Sequence, residues 1–408
     1  MRVLYFHQHF ATPQGAGGTR SYEFARALVA RGHRVTMVCG AHAQSGLTLP
    51  WDARAGWSRG PVDGVDVISL PLAYSNRDGL LKRGITFCRF AWRSVALALT
   101  EPCDLVFATS TPLTAALPGL AARWLRGKPF LFEVRDLWPE LPRALGVRNP
   151  VLLGAMSLLE WAAYRGADAC IGLSPGIAAG IARRAPHGRR IAQIPNGSDL
   201  ELFHPRRRAP LDLPGVGPDD FVAGFTGAHG PANGLEALLD VARELRRRGD
   251  RRVKLAFIGD GKEKDRLRAA AVRDGLDNCL FFDPIPKHRL GAVTASLGCG
   301  LMVLKDVPAF YDGTSPNKFF DYAAAGLPIV NNYPGWLAGL IQEAGAGIVV
   351  RPGDAAAFAD ALQRLAADPA VCRTMGAAAR ALAERRFARA DLATRFVAEA
   401  EALAAARS

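Results

Sequence analysis

The sequence predicts an α/β protein built from two doubly wound parallel sheets. In both halves of the 408-residue chain, short apolar runs alternate with amphipathic stretches, a pattern typical of strand–helix–strand units with buried strands. A stretch rich in Pro, Gly and Arg, 204–218, separates the halves. At this length two or three domains are expected, each large enough to bury its own core.

The first half begins with a βαβ unit: a strand at 3–6, an amphipathic helix at 19–31 and a strand at 35–39. Further buried strands are predicted at 65–70, 105–108, 129–134 and 169–173. Right-handed crossovers then place these strands in one open parallel sheet.

The second half repeats the cycle, with strands predicted at 222–225, 254–258, 280–282, 299–304 and 329–331, and helices at 234–248 and 317–325. The end of the chain is Ala-rich and helical. We therefore expect a first domain at 1–200, a linker at 201–218, a second domain at 219–385 and a final helix at 386–408.

The net charge of +13 is uneven, because the first 200 residues carry +10 of it. Such an excess fits nucleic acid, an anionic membrane surface, an anionic substrate, or simply a solvated basic face. No recognised nucleic-acid-binding signature accompanies the charge, so nucleic acid is not an expected partner. The seven cysteines are widely spaced without a C-x-x-C motif, which indicates buried free thiols in a reducing cytosol.

The segment 77–93 concentrates part of this charge beside apolar and aromatic residues. Lys82, Arg83, Arg89 and Arg93 alternate there with Leu, Phe and Trp side chains. This composition predicts either an interfacial segment on anionic lipid or an ordinary amphipathic surface helix. No apolar run is long enough to span a membrane, so we expect a cytoplasmic protein bound peripherally to the inner face of the cytoplasmic membrane.

The stretch 313–330 has the strongest chemical signal. Lys318 lies in a small-residue loop at the start of a helical run, and Asp321 follows three residues later. A cation and free peptide N–H groups at a helix N-terminus suit a phosphate, and a carboxylate one turn on suits a pair of sugar hydroxyls. Together they indicate a nucleotide-sugar site.

Two glycine-rich loops open the two halves, at 13–20 and at 226–234. Each follows its half's first strand, where backbone N–H groups can approach a phosphate, although a plain flexible turn has the same composition. Neither loop has G-x-G-x-x-G or P-loop spacing. His229 in the second loop is a candidate phosphate donor or a structural imidazole, and Lys262 starts a helix after a Gly-Asp-Gly turn.

A charged cluster follows the predicted strand at 129–134. Glu133, Arg135 and Asp136 lie there beside Trp138. The carboxyl ends of strands in open α/β sheets are where ligands bind, although an Arg–carboxylate pair that only caps the strand is the structural alternative. The sequence contains no D-x-D, so lysine, arginine and peptide dipoles would have to balance a diphosphate without a metal ion or other cofactor.

These segments, in this order, make the chain similar to the retaining glycosyltransferases of family 4, with the GT-B fold. It most resembles the branch of bacterial surface-polysaccharide enzymes that includes N-acetyl-L-fucosamine transferases. The resemblance runs nearly end to end, with its most telling segments at 8–20, 133–140, 194–197, 226–234 and 315–321.

The resemblance implies two Rossmann-like domains facing a cleft, the first for the acceptor and the second for the nucleotide-sugar donor, with the last helix crossing back to the first domain. It implies the following donor-binding residues: Gly17, Gly18, Arg20, His229, Lys262, Ser315, Pro316, Asn317, Lys318 and Asp321. It favours UDP over GDP and a polyprenyl-diphosphate-linked saccharide as acceptor. The acceptor hydroxyl attacks from the leaving-group face in such enzymes, with a phosphate oxygen as one proton acceptor.

The chain departs from the family at two positions. Asp321 stands where the family has the second glutamate of E-x7-E, the ribose ligand, and Gly313 stands in place of the first, with Asp312 one residue earlier as a substitute. Relatives also carry a histidine after the fourth strand of the first domain, where this chain has Arg135 and Asp136. We therefore expect Asp136, beside Arg135, to orient or deprotonate the acceptor hydroxyl.

Two other functions stay open. A GT-B nucleotide-sugar 2-epimerase would use a similar donor site without an acceptor, and a non-catalytic nucleotide-sugar-binding protein would need no acid at Gly313.

Overall fold

A computed structural model describes residues 1–75, 78–209, 211 and 213–406. The chain divides into two compact units. Unit 1 comprises Met1–Pro195, Gly313–Ser315 and the residues from Ala390 onward, and unit 2 comprises Asn196–Asp312 and Pro316–Arg389.

Unit 1 is a nine-stranded sheet covered by helices on both faces. Its elements before residue 196 are β1 Arg2–Phe6, α1 Arg20–Ala30, β2 Arg34–Gly40, β3 Trp51–Asp52, β4 Trp57–Val62, β5 Val65–Leu70, α2 Leu80–Thr100, β6 Leu105–Thr109, α3 Ala116–Arg126, β7 Phe130–Val134, α4 Glu140–Ala144, α5 Pro150–Gly166, β8 Ala169–Gly172, α6 Pro175–Arg184 and β9 Arg190–Gln193. The strand order is β3-β4-β5-β2-β1-β6-β7-β8-β9.

The parallel core of this sheet confirms the sequence prediction, but its edge differs from it. β5, β2, β1, β6, β7, β8 and β9 pair in parallel, whereas β3 and β4 run antiparallel beside β5. β3 and β4 escaped prediction because they are exposed or half-buried for most of their length and lack an apolar run. The central strands β6 and β7 are buried throughout and therefore read as continuous apolar segments.

Unit 2 is a six-stranded parallel sheet in the order β12-β11-β10-β13-β14-β15. Its elements are β10 Phe221–Thr226, α7 Glu236–Arg247, β11 Val253–Ile258, α8 Lys264–Arg273, β12 Cys279–Phe282, α9 Lys287–Ser296, β13 Cys299–Met302, α10 Asn317–Ala324, β14 Ile329–Asn331, α11 Trp336–Ala344, β15 Gly347–Val349, α12 Ala355–Ala367 and α13 Pro369–Arg386. Two apolar clusters, one on each face, form its core.

The last helix, α14 Arg389–Ala405, packs on unit 1. Phe396 stacks on Phe24 at 4.5 Å between ring centroids and lies 4.8 Å from Phe107. The apolar residues of α14 thus complete the cluster on one face of the unit 1 sheet.

The stretch predicted as a linker packs within unit 2. Phe203 is fully buried there, and Ala209 N–H donates to Ser296 Oγ. Some predicted positions lie outside the described residues: Arg77 of the basic segment, Pro210 and Asp212 of the linker, and Arg407 and Ser408 of the final helix.

All seven cysteines are free, and the expectation of buried thiols holds for four of them, whereas Cys88 on α2 is exposed. No helix in the described ranges is long and apolar enough to cross a membrane.

Candidate functional site

The N-terminus of α10 presents Lys318 at the carboxyl edge of the unit 2 sheet. Pro316 precedes the helix and supplies no side-chain cap, so the first peptide N–H groups of α10 depend on other partners. The Lys318 ammonium lies 3.3 Å from Asn233 Oδ1 and 3.5 Å from the centroid of the Phe225 ring. Burial lowers the pKa of this ammonium well below its ordinary value, so an anion beside it would restore the charged form.

The 226–234 loop lies directly against Lys318. Gly227 has φ +131°, and a Cβ there would lie 3.4 Å from Lys318 Cε. The loop interlocks with the turn after β11, because His229 N–H donates to Asp260 O at 2.9 Å and a Cβ at Gly259 would collide with Gly227 O. Glycine is thus required by both the backbone conformation and the close approach.

His229 is buried in this loop with both ring nitrogens unpartnered within the described chain. Its ring lies 6.0 Å from Phe225 and 6.3 Å from Phe257, measured between centroids. Burial, then the charges of Lys264 and Lys318, lowers its pKa to about 4. His229 is therefore a neutral imidazole at pH 7, with one N–H free to donate to a ligand.

Tyr322 fixes α10 against the end of β10. Its hydroxyl donates to Gly224 O at 3.0 Å and accepts from the Thr226 N–H at 2.8 Å. The ring lies against Gly300 of β13, where a Cβ would come within 2.3 Å of it. The Gly-rich loop and the start of α10 are therefore held together by one buried side chain.

Three other predicted donor residues lie around this loop and helix start. Asn317, at the first position of α10, has a buried Oδ1 without a partner in the described chain. Lys262 is exposed just before α8, next to Gly261, which contacts the His229 backbone. Ser315 is buried and belongs to unit 1.

Asp321 does not present a free carboxylate, in contrast to the expected ribose contact. Its Oδ2 accepts from Lys287 Nζ at 2.5 Å and its Oδ1 from Ser198 Oγ at 2.8 Å, and all three side chains are buried. Asp312, the predicted substitute for the missing first glutamate, accepts from the Trp336 N–H at the start of α11. Both carboxylates thus already have protein donors.

In unit 1, the first glycine-rich loop is braced by a neighbouring loop. Thr12 N–H donates to Ser45 O at 2.8 Å, and Ala16 N–H donates to Gln44 O at 3.1 Å. Gly17 is half-buried, and a Cβ at this position would lie only 2.7 Å from the Cβ of Ala11. Gly18 is exposed. This bracing holds the backbone ahead of α1 in a defined conformation.

Arg20 was expected to contact the donor, but the structure buries it in an ion pair. Its guanidinium, 1% exposed, donates to Glu133 Oε2 from Nε at 2.9 Å and from Nη2 at 2.7 Å. It also donates to the carbonyls of Ile194 and Pro195. With every bond directed inward, Arg20 is a structural residue that ties α1 to the ends of β7 and β9.

Arg135 and Asp136 follow this ion pair at the carboxyl end of β7. Arg135 Nε donates to Glu133 Oε1 at 3.2 Å, and the Arg135 backbone N–H donates to Ser110 Oγ at 2.9 Å. Asp136 is half-buried and has no hydrogen-bond partner within the described residues. Burial, opposed by the Arg135 charge, raises the pKa of Asp136 to about 6, in the range of a general base.

The described residues contain no group of three His, Cys, Asp or Glu side chains placed to hold a metal ion. Metal independence nevertheless stays a prediction.

Two family matches cover most of the chain. Residues 15–197 match the glycosyl transferase 4-like domain, and residues 220–368 match glycosyl transferases group 1. The chain carries two glycosyltransferase domains in a GT-B fold. Among curated proteins, it is 24% identical over 324 residues to the probable glycosyltransferase WbjE of Pseudomonas aeruginosa, covering 77% of this chain and 80% of the relative.

Solved structures show the same fold at low sequence identity. Sucrose-phosphate synthase from Thermosynechococcus elongatus has a TM-score of 0.77 at 23% identity, over 100% of both chains. Anabaena HepE in complex with UDP-glucose has a TM-score of 0.68 at 15% identity, over 98% of both chains. The predicted N-acetyl-L-fucosamine transferase branch is a finer assignment that these matches leave as a prediction.

Several residues that shape these glycosyltransferase domains carried no usable signal in the sequence. Lys287 and Ser198 reach Asp321 from positions 34 and 123 residues away along the chain. Asn233, which holds Lys318, is one polar residue among many in a turn. A charge pairing across such distances follows from the topology of the sheet and not from local spacing.

Proposed function

We propose that this glycosyltransferase moves a sugar, an N-acetylated or deoxy hexose, from a UDP-sugar to a lipid-linked saccharide with retention of configuration. The pathway we infer is cell-surface polysaccharide biosynthesis. The observation that carries the proposal is Lys318, an ammonium at the free N-terminus of α10, half-buried against a glycine-rich loop that contains an unpartnered imidazole.

The electrostatics of this site suit a departing diphosphate. The site offers hydrogen-bond donors from Lys318 and His229, and the N-terminal end of the α10 dipole is positive. Positive charge placed where negative charge develops lowers the barrier to leaving-group departure. The complexes of Anabaena HepE with UDP and with UDP-glucose support UDP as the nucleotide by analogy.

The ribose contact requires a different residue from the one that the resemblance implied. Because Asp321 is held by Lys287 and Ser198, we assign it a positioning role for α10. The buried pair keeps the helix start in register with the 197–199 segment, which Arg389 also holds through Gly197 O.

On unit 1, Asp136 is the residue we assign to the acceptor hydroxyl. Above a pH of about 6 its carboxylate is ionised and has no competing donor among the described residues, so it is able to orient the hydroxyl or accept its proton. A donor-phosphate oxygen is the other candidate for the same proton, and the effect of Asp136→Asn on turnover separates the two.

Membrane attachment is the part of the proposal that concerns location. The helices α2, α3 and α5 pack side by side and expose large apolar side chains. We name this surface the lipid-facing surface and define it by Leu81, Ile85, Trp92, Trp124, Leu125, Leu158 and Trp161. Arg89 and Arg93 are exposed on it, and Lys82 is exposed but pairs with Asp78 at 2.7 Å. Glu160, the acidic residue within these three helices, is buried, so the remaining charge suits anionic lipid.

The direct experiment is a transfer assay with the full chain. A panel of UDP-sugars and GDP-sugars is incubated with and without a short-chain prenyl-diphosphate-linked N-acetylhexosamine, and products are resolved by mass spectrometry and NMR. We expect acceptor-dependent transfer from a UDP-sugar with the anomeric configuration kept, and unchanged activity in EDTA.

Other outcomes would replace the proposal. Conversion of the donor to its C2 epimer without acceptor would identify an epimerase. Tight donor binding with no product under any condition would identify a non-catalytic binding protein, which is the reading that Gly313 and the buried Asp321 favour.

A further inference from the structure

The carboxyl end of β1 leads into a concentration of buried polar atoms without partners. His7 and Gln8 are each 1% exposed, and both ring nitrogens of His7 and both amide atoms of Gln8 lack a hydrogen-bond partner within the described residues. An unsatisfied buried polar group costs about 1–3 kcal/mol, and native proteins contain few of them. Four in two successive residues therefore indicate a place where a ligand supplies the missing bonds.

An aromatic cluster lies beside these residues. The ring of His9 is 4.4 Å from Tyr74 and 6.1 Å from Phe87, and Tyr74 stacks on Phe87 at 5.8 Å, measured between centroids. His42 lies 6.2 Å from His9 and is held by a hydrogen bond to Phe10 O. These half-buried ring faces form a flat, partly apolar wall of the kind that packs against a sugar ring.

Arg83 adds a positive charge to the cluster. Its guanidinium lies 5.6 Å from the centroid of Tyr74 and 5.9 Å from that of Phe87, and its buried Nε has no hydrogen-bond partner among the described residues. The Tyr74 hydroxyl and the charge of Asp78 both act on this guanidinium, but no described carboxylate forms a salt bridge with it, so an anion could still pair with it.

The neighbouring imidazoles are neutral and do not compete with Arg83 for an anion. Burial, then the charges of Arg135 and nearby histidines, lowers the pKa of His7 well below its ordinary value, and burial followed by His42, Arg135 and Arg83 lowers that of His9 to about 3. A neutral imidazole offers one donor and one acceptor, and the amide of Gln8 offers both as well. This mixture matches sugar hydroxyls beside a phosphate.

We propose that His7, Gln8, His9, Tyr74, Arg83 and Phe87 form a subsite for the diphosphate-linked sugar at the head of the acceptor. The proposal rests on the proposed function and specifies where unit 1 holds that substrate. Arg83 binds the diphosphate, the Tyr74 and Phe87 rings contact the first sugar, and His7 and Gln8 pair with its hydroxyls.

The same helix would suit the amphiphilic acceptor of the proposed function. Arg83 and Phe87 lie on the inner side of α2, while Leu81 and Ile85 are exposed on its outer side. A prenyl chain against Leu81 and Ile85 and a diphosphate at Arg83 would thus be held by two successive turns of one helix.

The test measures binding of the acceptor head without any donor. A short-chain prenyl-diphosphate-linked N-acetylglucosamine is titrated calorimetrically into the full chain and into Arg83→Met and Tyr74→Ala. We expect both substitutions to weaken binding at least tenfold, about 1.4 kcal/mol. Arg54→Met, which removes an exposed guanidinium in the turn between β3 and β4, is the matched control and should bind like the wild type.

Two soluble probes separate the sources of the phosphate. N-acetylglucosamine 1-phosphate should bind more weakly than the prenyl probe but still depend on Arg83, since it keeps the sugar and the anion. Inorganic diphosphate that bound as tightly as the prenyl probe would reveal a bare anion site and overturn the proposal. Equal loss of binding in Arg83→Met and Arg54→Met, or no binding to the wild type, would overturn it as well.

The result also stands apart from the proposed function. UDP affinity, measured in each variant, should stay at the wild-type value and shows that the chain is folded. Arg83-dependent binding of the probe in a protein that transfers no sugar would contradict the function and leave the subsite in place. If Arg83→Met transferred sugar and bound the probe as well as the wild type does, the proposed function would stand and the subsite would be contradicted.

Discussion

Asp136 is the residue whose environment says most about its chemistry. It follows a buried strand, is half-buried, and has no hydrogen-bond donor among the described residues. Its pKa of about 6 reflects burial, partly offset by the adjacent Arg135. A substrate hydroxyl that donated a hydrogen bond to this carboxylate would therefore stabilise its ionised form.

Replacement of Asp136 by Asn should stabilise the protein at pH 8. The folded-state pKa is raised above the unfolded value of 3.8, so the folded chain binds this proton more tightly, and that stability is lost as the pH rises from about 4 through 6. A neutral amide removes the loss, and we expect a gain of about 1–3 kcal/mol in the free energy of unfolding at pH 8. Urea unfolding at pH 8 and pH 4 measures it; a variant less stable than wild type at both values would contradict the burial argument.

The same substitution that raises stability, Asp136→Asn, should lower turnover. If Asp136 handles the acceptor hydroxyl, the wild-type rate falls as the pH is lowered through about 6, and Asp136→Asn is slow throughout. A variant with wild-type turnover would leave the proton to a donor-phosphate oxygen.

Single residues also mark the limit of what the sequence predicts. Lys318 and Asp136 were predicted as site residues because a cation at a helix start and a carboxylate at a strand end are local patterns, and their roles stay predictions. Arg20 and Asp321 have equally suggestive positions, yet each is neutralised by a partner far along the chain, Glu133 and Lys287. Local pattern cannot distinguish a charge that faces a ligand from one that is already paired.

Among the elements, the 226–234 loop and α10 behave as one structural piece. Tyr322 bonds the end of β10, Asn233 bonds Lys318, and the turn at Gly259 interlocks with Gly227. Loop and helix therefore should tolerate change poorly where they touch and well where they do not.

Gly227→Ala and Gly230→Ala test this difference within one loop. Gly227 has φ +131° and faces Lys318, so alanine there is strained and displaces the ammonium; Gly230 has φ −100° and open space for a Cβ. We expect Gly227→Ala to weaken UDP binding at least tenfold and Gly230→Ala to leave it within twofold. Calorimetry with UDP measures both, and equal affinities in the two variants would rule out the packing of Gly227 against Lys318 as a determinant of binding.

The elements that were given bounds from the sequence lie within about one to three residues of their observed bounds, whereas helices such as α11, α12 and α13 and the short edge strands were given none. β5 and β14 were predicted at their observed bounds, because both are largely buried. β9 and β15 are half-buried edge strands whose apolar pattern is too short to stand out, and no strand was expected there. Strand pairing across a sheet, not local propensity, defines such edges.

For the molecule as a whole, part of the positive charge of unit 1 lies on the lipid-facing surface, at Arg89 and Arg93. Trp92, Trp124 and Trp161 are 80%, 62% and 50% exposed on three neighbouring helices. Exposed aromatic side chains together with arginines are the composition of a membrane interface, and such an extent of apolar surface is unusual for a protein that meets only water.

Vesicle binding should follow this surface. We expect the wild type to co-sediment with vesicles of 30% phosphatidylglycerol, and the double variant Trp92→Ser/Trp124→Ser to bind at least fivefold more weakly. Added salt should weaken binding, because screening reduces the attraction between the cations and the anionic lipid. Trp51→Ser removes a 57% exposed tryptophan from β3 and is the matched control. Equal loss in the control, or equal binding to neutral phosphatidylcholine vesicles, would contradict the assignment.

The most direct measurement is calorimetric titration of UDP into the wild type, Lys318→Met and Lys254→Met. Lys254 lies at the amino end of β11, away from the carboxyl edge of the sheet, and serves as the control lysine. We predict micromolar binding to the wild type and to Lys254→Met, at least tenfold weaker binding to Lys318→Met, and wild-type affinity that declines with rising pH as the Lys318 ammonium deprotonates below its ordinary pKa. UDP binding of equal strength in Lys318→Met and wild type would contradict a donor site at the start of α10.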